Sequence, residues 1–144
     1  RYTEEVTLKP GVVEFLRYGK ENGILFGIAT SNGRILAEAA LKALQIDTYF
    51  TAMRTSGEVN VGKPSPDIYL KVAEDMQVRP EHCLVFEDVP MGILAGKRAG
   101  MQVCAVYDEF SRPLDQEKKK LADYYIHDFH DVMDRIKERN TDGK

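Results

Sequence analysis

Glu87 and Asp88 end the apolar run Leu84-Val85-Phe86, and Val89-Pro90 follows at once. Adjacent carboxylates in that place are a hard-oxygen donor pair, of the kind that holds Mg2+ together with water and a substrate phosphate. Successive side chains of a strand point to opposite faces, so only one of the two can aim squarely at a given site. The structural alternative is that Asp88 caps the helix opened by Pro90. A second polar end, Thr30-Ser31-Asn32-Gly33, closes the apolar run 24–30. Hydroxyls and backbone N–H groups ahead of a helix N-terminus donate well to an anion, and the helix dipole adds to the attraction. The same four residues read equally well as a helix cap. Lys63 lies in Val61-Gly62-Lys63-Pro64-Ser65-Pro66-Asp67. A loop lysine by itself is usually only solvated. Here Gly62 allows close backbone approach and Pro64 and Pro66 stiffen the segment, as a phosphate clamp requires. A hydroxyl, a lysine and a carboxylate pair at successive strand or loop ends together describe a site for Mg2+ and a phosphate.

The elements that must carry these residues alternate between strand and helix. Pro10-Gly11 opens a segment in which Val12, Val13, Phe15 and Leu16 recur at helical spacing, and Asn22-Gly23 closes it. Residues 24–30 form a continuous apolar run, which predicts a strand covered on both faces. Leu36, Ala39, Ala40, Ala43 and Leu44 form the stripe of a second helix, and residues 49–55 read as a short strand. Ser65 and Pro66 suit the N-cap and first position of the helix over 66–77. A central strand over 83–88 leads into a helix that starts near Pro90 and stops at Gly100, and 101–108 is another strand. The tail adds a charged helix around Leu114 to Leu121, a short run from Tyr124 to Phe129, and a last helix with Val132, Met133 and Ile136 on its apolar face. This alternation predicts an α/β domain, a parallel sheet joined by right-handed crossovers and layered between helices. Such folds bind ligands at the carboxyl ends of their strands, where the polar residues above stand.

At 144 residues, 43% hydrophobic and 30% charged, the chain has the size and composition of one globular domain. No apolar run approaches the roughly 18 residues of a membrane span, so no membrane partner is expected. A net charge of −3 with interspersed signs offers no broad basic surface for nucleic acid and favours a small-molecule partner. The basic cluster Lys118-Lys119-Lys120, next to Asp115 and Glu117, reads as a solvated helix face. Cys83 and Cys104 fall at apolar, strand-like runs and read as buried free thiols, which fits a reducing, cytoplasmic compartment. Tyr107 and Asp108 read as an ordinary strand end, and His127 and His130 as structural.

Three segments resemble the haloacid dehalogenase-like superfamily, in its phosphatase and β-phosphoglucomutase-like branch. Gly27-Ile28-Ala29-Thr30-Ser31-Asn32-Gly33 is similar to the family's second motif, which makes Thr30 the residue that binds the transferring phosphoryl group, with Ser31 and Asn32 beside it. The segment from Val61 to Tyr69 is similar to the third motif, with Lys63 steadying charge on nucleophile and phosphate. Residues 84–101 are similar to the fourth, with Asp88 as a Mg2+ ligand and Glu87 as a ligand or an orienter of the metal's shell. The resemblance runs from about Pro10 to Asp108 and implies a three-layer, Rossmann-like core and phosphate monoester hydrolysis through an aspartyl-phosphate. A sugar phosphate or another small phosphorylated metabolite is the implied substrate, with β-phosphoglucomutase-like transfer as the alternative. True dehalogenases of the family need no metal and lack the paired acids, so Glu87-Asp88 favours phosphoryl transfer.

One departure is large. The family's first motif, Asp-x-Asp-Gly-Thr, which supplies the nucleophile and the general acid, occurs nowhere in the chain, nor does the helical cap that selects substrate. The resemblance places that missing strand in mid-sheet, between the strand ending at Thr30 and the strand ending at Asp88. Residues 1–144 are therefore expected to be the C-terminal part of a core domain from a longer protein, with an incomplete sheet. The gap could be filled by an N-terminal piece or a swapped copy, or closed by the flanking strands. By itself the chain is expected to be inactive, and a non-catalytic module that binds phosphate and metal is the competing reading.

Overall fold

The computed structural model describes residues 10–30, 33–55 and 66–142. Helix α1 (Val12–Glu21) starts after Gly11 at φ 85° and ends at Asn22, with Gly23 at φ 78° turning the chain into strand β1 (Phe26–Thr30). Both glycines occupy the left-handed region that side chains avoid, which is why they punctuate the helix. Helix α2 (Arg34–Ala43), a short 3-10 turn (Asp47–Tyr49) and strand β2 (Phe50–Thr55) follow. Helix α3 (Asp67–Met76) leads to strand β3 (Leu84–Glu87), helix α4 (Pro90–Arg98) and strand β4 (Gln102–Val106). A 3-10 turn (Glu109–Leu114) then enters helix α5 (Asp115–Leu121), strand β5 (Tyr124–Ile126) and helix α6 (Phe129–Asp142).

All pairs among the described strands are parallel, and these strands form two sheets. β1 pairs with β2, with Thr30 opposite Thr55. β3 pairs with β4 and β4 with β5, with Val85 opposite Val103 and Glu87 opposite Ala105. Among the described strands, β1 and β3 each have a hydrogen-bonded neighbour on one side only. Phe15 of α1 spans the break: its ring lies 5.6 Å from Phe26 of β1 and 5.4 Å from Phe86 of β3.

Strand alternation divides the core. Val85, Val103 and Ala105 face α3 and α4, where they meet Ile68, Tyr69, Ala73, Ile93 and Ala95. Full burial of Val103 is worth about 1.5–3 kcal/mol. A Cβ at Gly96 would come within 2.7 Å of Val103, so α4 lies closer to β3 and β4 than a larger residue there would permit. On the other face Cys104, Val106, Ile126 and Phe129 pack with Phe15 and Phe86 under α1 and α6. The result is the expected three-layer α/β arrangement, with the sheet divided.

Several expectations change. Residues 26–30 are all half-buried, and Ile24 and Leu25 are 46% and 48% exposed, short of the cover on both faces that the apolar run predicts. Among the described strands the one carrying Glu87 has a single neighbour, as the strand missing beside it implies, and β4 is the central one of its sheet, with Val103 to Val106 buried. On α2 the buried residues are Ala37 and Ala40, while Leu36 is 41% exposed, so the helix is rotated from the predicted stripe. Cys83 and Cys104 are free thiols, Cys104 buried and Cys83 half-buried. No helix among the described residues is long and apolar enough to cross a membrane.

Candidate active site

Glu87 is the last residue of β3, and alternation from Val85 turns it toward the face covered by α3 and α4. There Tyr69, a buried residue in the first half of α3, donates its hydroxyl to Glu87 Oε2 at 2.6 Å. The backbone N–H of Asp88 donates to Glu87 Oε1 at 3.1 Å. Gly92 lies against the same carboxylate, so closely that a Cβ there would overlap Glu87 Oε2. Burial, then the charge and hydrogen bond of Glu87, and then the Asp88 charge push the Tyr69 phenol far above its ordinary pKa. Tyr69 is therefore a donor throughout the physiological range.

Asp88 follows the strand, and its backbone carbonyl accepts the hydroxyl of Ser111 at 2.8 Å. The N-cap of α4 is Val89, with no side-chain capping bond, and Pro90 fills the first turn as expected. Asp88 is thus one position too early to be the N-cap of that helix. Thr30 closes β1 and is half-buried. Ser31, Asn32 and Lys63 lie outside the described residues, as do Gly62, Pro64 and Ser65. Pro66, expected as the first helical residue, is the N-cap of α3. Among the described residues no group of three or more His, Cys, Asp or Glu side chains could hold a metal ion. What the described residues offer is the acid pair: the Glu87 carboxylate, whose two oxygens accept from Tyr69 and from Asp88 N–H, and Asp88, whose backbone is tied on both sides of its Cα. That donor set fits Mg2+, which takes one or two carboxylates and completes its shell with water and substrate oxygens.

The Lys118-Lys119-Lys120 reading needs correction. Lys118 is 0% exposed, and its ammonium donates to Val106 O at 2.7 Å and Ser111 Oγ at 3.1 Å. Only Lys119 and Lys120 are exposed, because α5 turns its first lysine under the end of β4. Sequence reasoning also passed over Tyr69, Ser111 and Gly92. Tyr69 was hidden inside an apolar helix stripe, and nothing local marked Ser111. Tyr107 stacks on His127 at 4.5 Å, and Asp108 accepts from Phe110 N at 3.2 Å as the cap of the 3-10 turn. His130 N donates to Asp128 Oδ1 at 2.9 Å, a helix-end contact.

Comparison with known proteins identifies the family and the fold. The family model described as haloacid dehalogenase-like hydrolase matches residues 1–100. A phosphorylated carbohydrates phosphatase of Thermotoga maritima is 39% identical over 101 residues, covering 70% of this chain and 47% of the relative. Hexitol phosphatase A of Escherichia coli is 33% identical over 133 residues, covering 90% of this chain and 58% of the relative. The crystal structure of a β-phosphoglucomutase from Clostridium difficile superposes with a TM-score of 0.78 at 26% identity, covering 98% of this chain and 61% of that one. The chain spans about half the length of the curated relatives it matches.

Proposed function

The chain belongs to the haloacid dehalogenase-like hydrolases, and we propose that the protein carrying it is a Mg2+-dependent phosphate monoester hydrolase acting on a small phosphorylated metabolite such as a sugar phosphate. The carrying observation is the acid pair at the end of β3, with Glu87 held by Tyr69 and the Asp88 backbone held by Ser111. Relatives named as phosphatases of phosphorylated carbohydrates and hexitols support the substrate class.

In this reading Asp88 ligates Mg2+ and Glu87 ligates it or orients its shell. The bound ion supplies electrostatic stabilisation of phosphoryl oxygens. Thr30, with the backbone N–H groups of Ser31 and Asn32, holds those oxygens, and Lys63 neutralises charge that develops on them. The nucleophile is an aspartate on a strand outside this chain. It attacks phosphorus to give an aspartyl-phosphate, and water then releases phosphate. That strand, with a helical cap, belongs to an N-terminal part of the protein, beside β1 and β3; a swapped copy could supply it instead. A cytoplasmic setting goes with the free thiols. Resolution of the intermediate by a second sugar hydroxyl is the alternative, favoured by the similarity to a β-phosphoglucomutase structure.

The test is Asp88→Ala in the full-length protein, assayed for phosphate release from sugar phosphates across a Mg2+ series. Activity is expected to vanish at every attainable Mg2+ concentration, and retained turnover would refute the metal assignment. The 144-residue chain assayed alone is expected to release no phosphate. Chloride release from a haloacid without Mg2+ would instead identify a dehalogenase.

A further inference from the structure

Lys118 is the largest fully buried side chain among the described residues. Placing an ammonium in the interior costs several kcal/mol unless it is paired and hydrogen-bonded, and a Met or Leu would fill the same space without that cost. The contacts show where the charge is directed. Its ammonium donates to Val106 O at 2.7 Å and to Ser111 Oγ at 3.1 Å, and Asp115 Oδ1 stands 3.7 Å away as counter-charge. Lysine can only donate, so the Ser111 oxygen accepts from Lys118 and its single proton is left for an acceptor. Two carbonyls are within reach, Asp88 O at 2.8 Å and Asp108 O at 3.4 Å, and the shorter contact is to Asp88. The order of donation is therefore Lys118 to Ser111 to Asp88, and the ammonium polarises the hydroxyl that holds the Asp88 carbonyl.

We propose that Lys118 and Ser111 are positioning residues for Asp88, a buried strut that sets the direction in which its carboxylate leaves the backbone. Both peptide groups flanking the Asp88 Cα are tied, the N–H to Glu87 Oε1 at 3.1 Å and the C=O to Ser111. With both planes fixed, the carboxylate is presented without a search over backbone conformations, and so binds a cation at lower entropic cost. This inference rests on the metal-binding reading of Asp88.

The experiment is calorimetric Mg2+ titration of the full-length protein without substrate, with melting temperature recorded for each variant. Ser111→Ala and Lys118→Met are each expected to weaken Mg2+ binding about tenfold, the scale seen when a partner of a metal ligand is removed. The double variant is expected to be no weaker than about the worse single, because both act through one hydroxyl. Ser111→Thr, which keeps the hydroxyl, is expected to restore binding. If Lys118→Met does not fold, the two Ser111 variants decide the matter. Wild-type Mg2+ affinity in Ser111→Ala, whatever its melting temperature, overturns the strut. Asp88→Ala separates the two failures: if it also binds Mg2+ normally, the metal reading of Asp88 is what fails.

Discussion

The hydroxyl of Tyr69 and the carboxylate of Glu87 meet at 2.6 Å, joining α3 to the end of β3. A phenol donating to an ionised carboxylate is among the stronger hydrogen bonds available to neutral donors. It leaves Glu87 with one oxygen turned into the core and the other bonded to the N–H of Asp88. The acid pair is thus braced by a side chain that comes from α3 and not from the strand itself.

Tyr69→Phe keeps the ring and removes the bond. It is expected to destabilise the protein by about 1.5–3 kcal/mol, read from urea denaturation at neutral pH. The phenol pKa is raised on folding by burial and by Glu87, so its stabilising effect is complete below the unfolded value of about 10. It is lost as pH climbs above that value toward the folded one. The wild type should therefore lose stability between pH 9.5 and about pH 11 more steeply than Tyr69→Phe. Equal slopes would remove Tyr69 from the account.

Gly92→Ala adds one methyl where the Glu87 carboxylate lies. The side chain is the more yielding partner, so the expected outcome is a folded protein in which Glu87 has left Tyr69. Tyr69→Phe should then cost little in the Gly92→Ala background, and the double-mutant cycle measures that coupling. Full additivity would mean that the helix moved and the carboxylate stayed.

Phe15 connects the two sheets through Phe26 and Phe86 and also packs on Phe129 at 5.4 Å. Phe15→Ala is expected to cost about 3 kcal/mol, the low end for truncating a core phenylalanine, because the ring is half-buried. A loss below about 1 kcal/mol, measured by chemical denaturation, would show that the sheets are held together elsewhere.

Burial pushes the Cys104 thiol up to about 11, so at pH 8 only on the order of one molecule in a thousand carries the reactive thiolate. Burial, aided by the Glu81 charge, also raises the half-buried Cys83. Ellman's reagent at pH 8 should modify Cys83 first, and Cys104 only at the rate of local opening. Both should react at once in urea. Prompt modification of Cys104 in the folded protein would contradict its placement on β4.

The order of elements was legible because turn chemistry and periodicity are local. Gly11, Gly23 and Gly100 mark helix ends by positive φ, and Pro90 opens α4 where its missing N–H costs nothing. The spacing of three motifs, with the absence of an Asp-x-Asp strand, was enough to anticipate a divided sheet. The two edges left without a described neighbour, on β1 and β3, are those that the missing strand implied. The sequence was not enough to tell how deeply each run would be covered: residues 26–30 are all half-buried, and Ile24, Leu25 and Leu84 are exposed. An apolar run records what a strand can tolerate and says nothing about how much of each face is covered.

Taken alone, the amino-acid sequence determined the strand and helix order, the family, and the placing of Thr30, Glu87 and Asp88 at strand ends, since each depends on residues adjacent in the chain. Tertiary structure decided how the acids are held. Tyr69 reaches Glu87 across 18 positions and Ser111 reaches Asp88 across 23, and no local period relates such partners. It also decided which of three consecutive lysines is buried. The rotation of α5 under β4 turns Lys118 inward and leaves its neighbours in water, and that rotation is set by packing between elements.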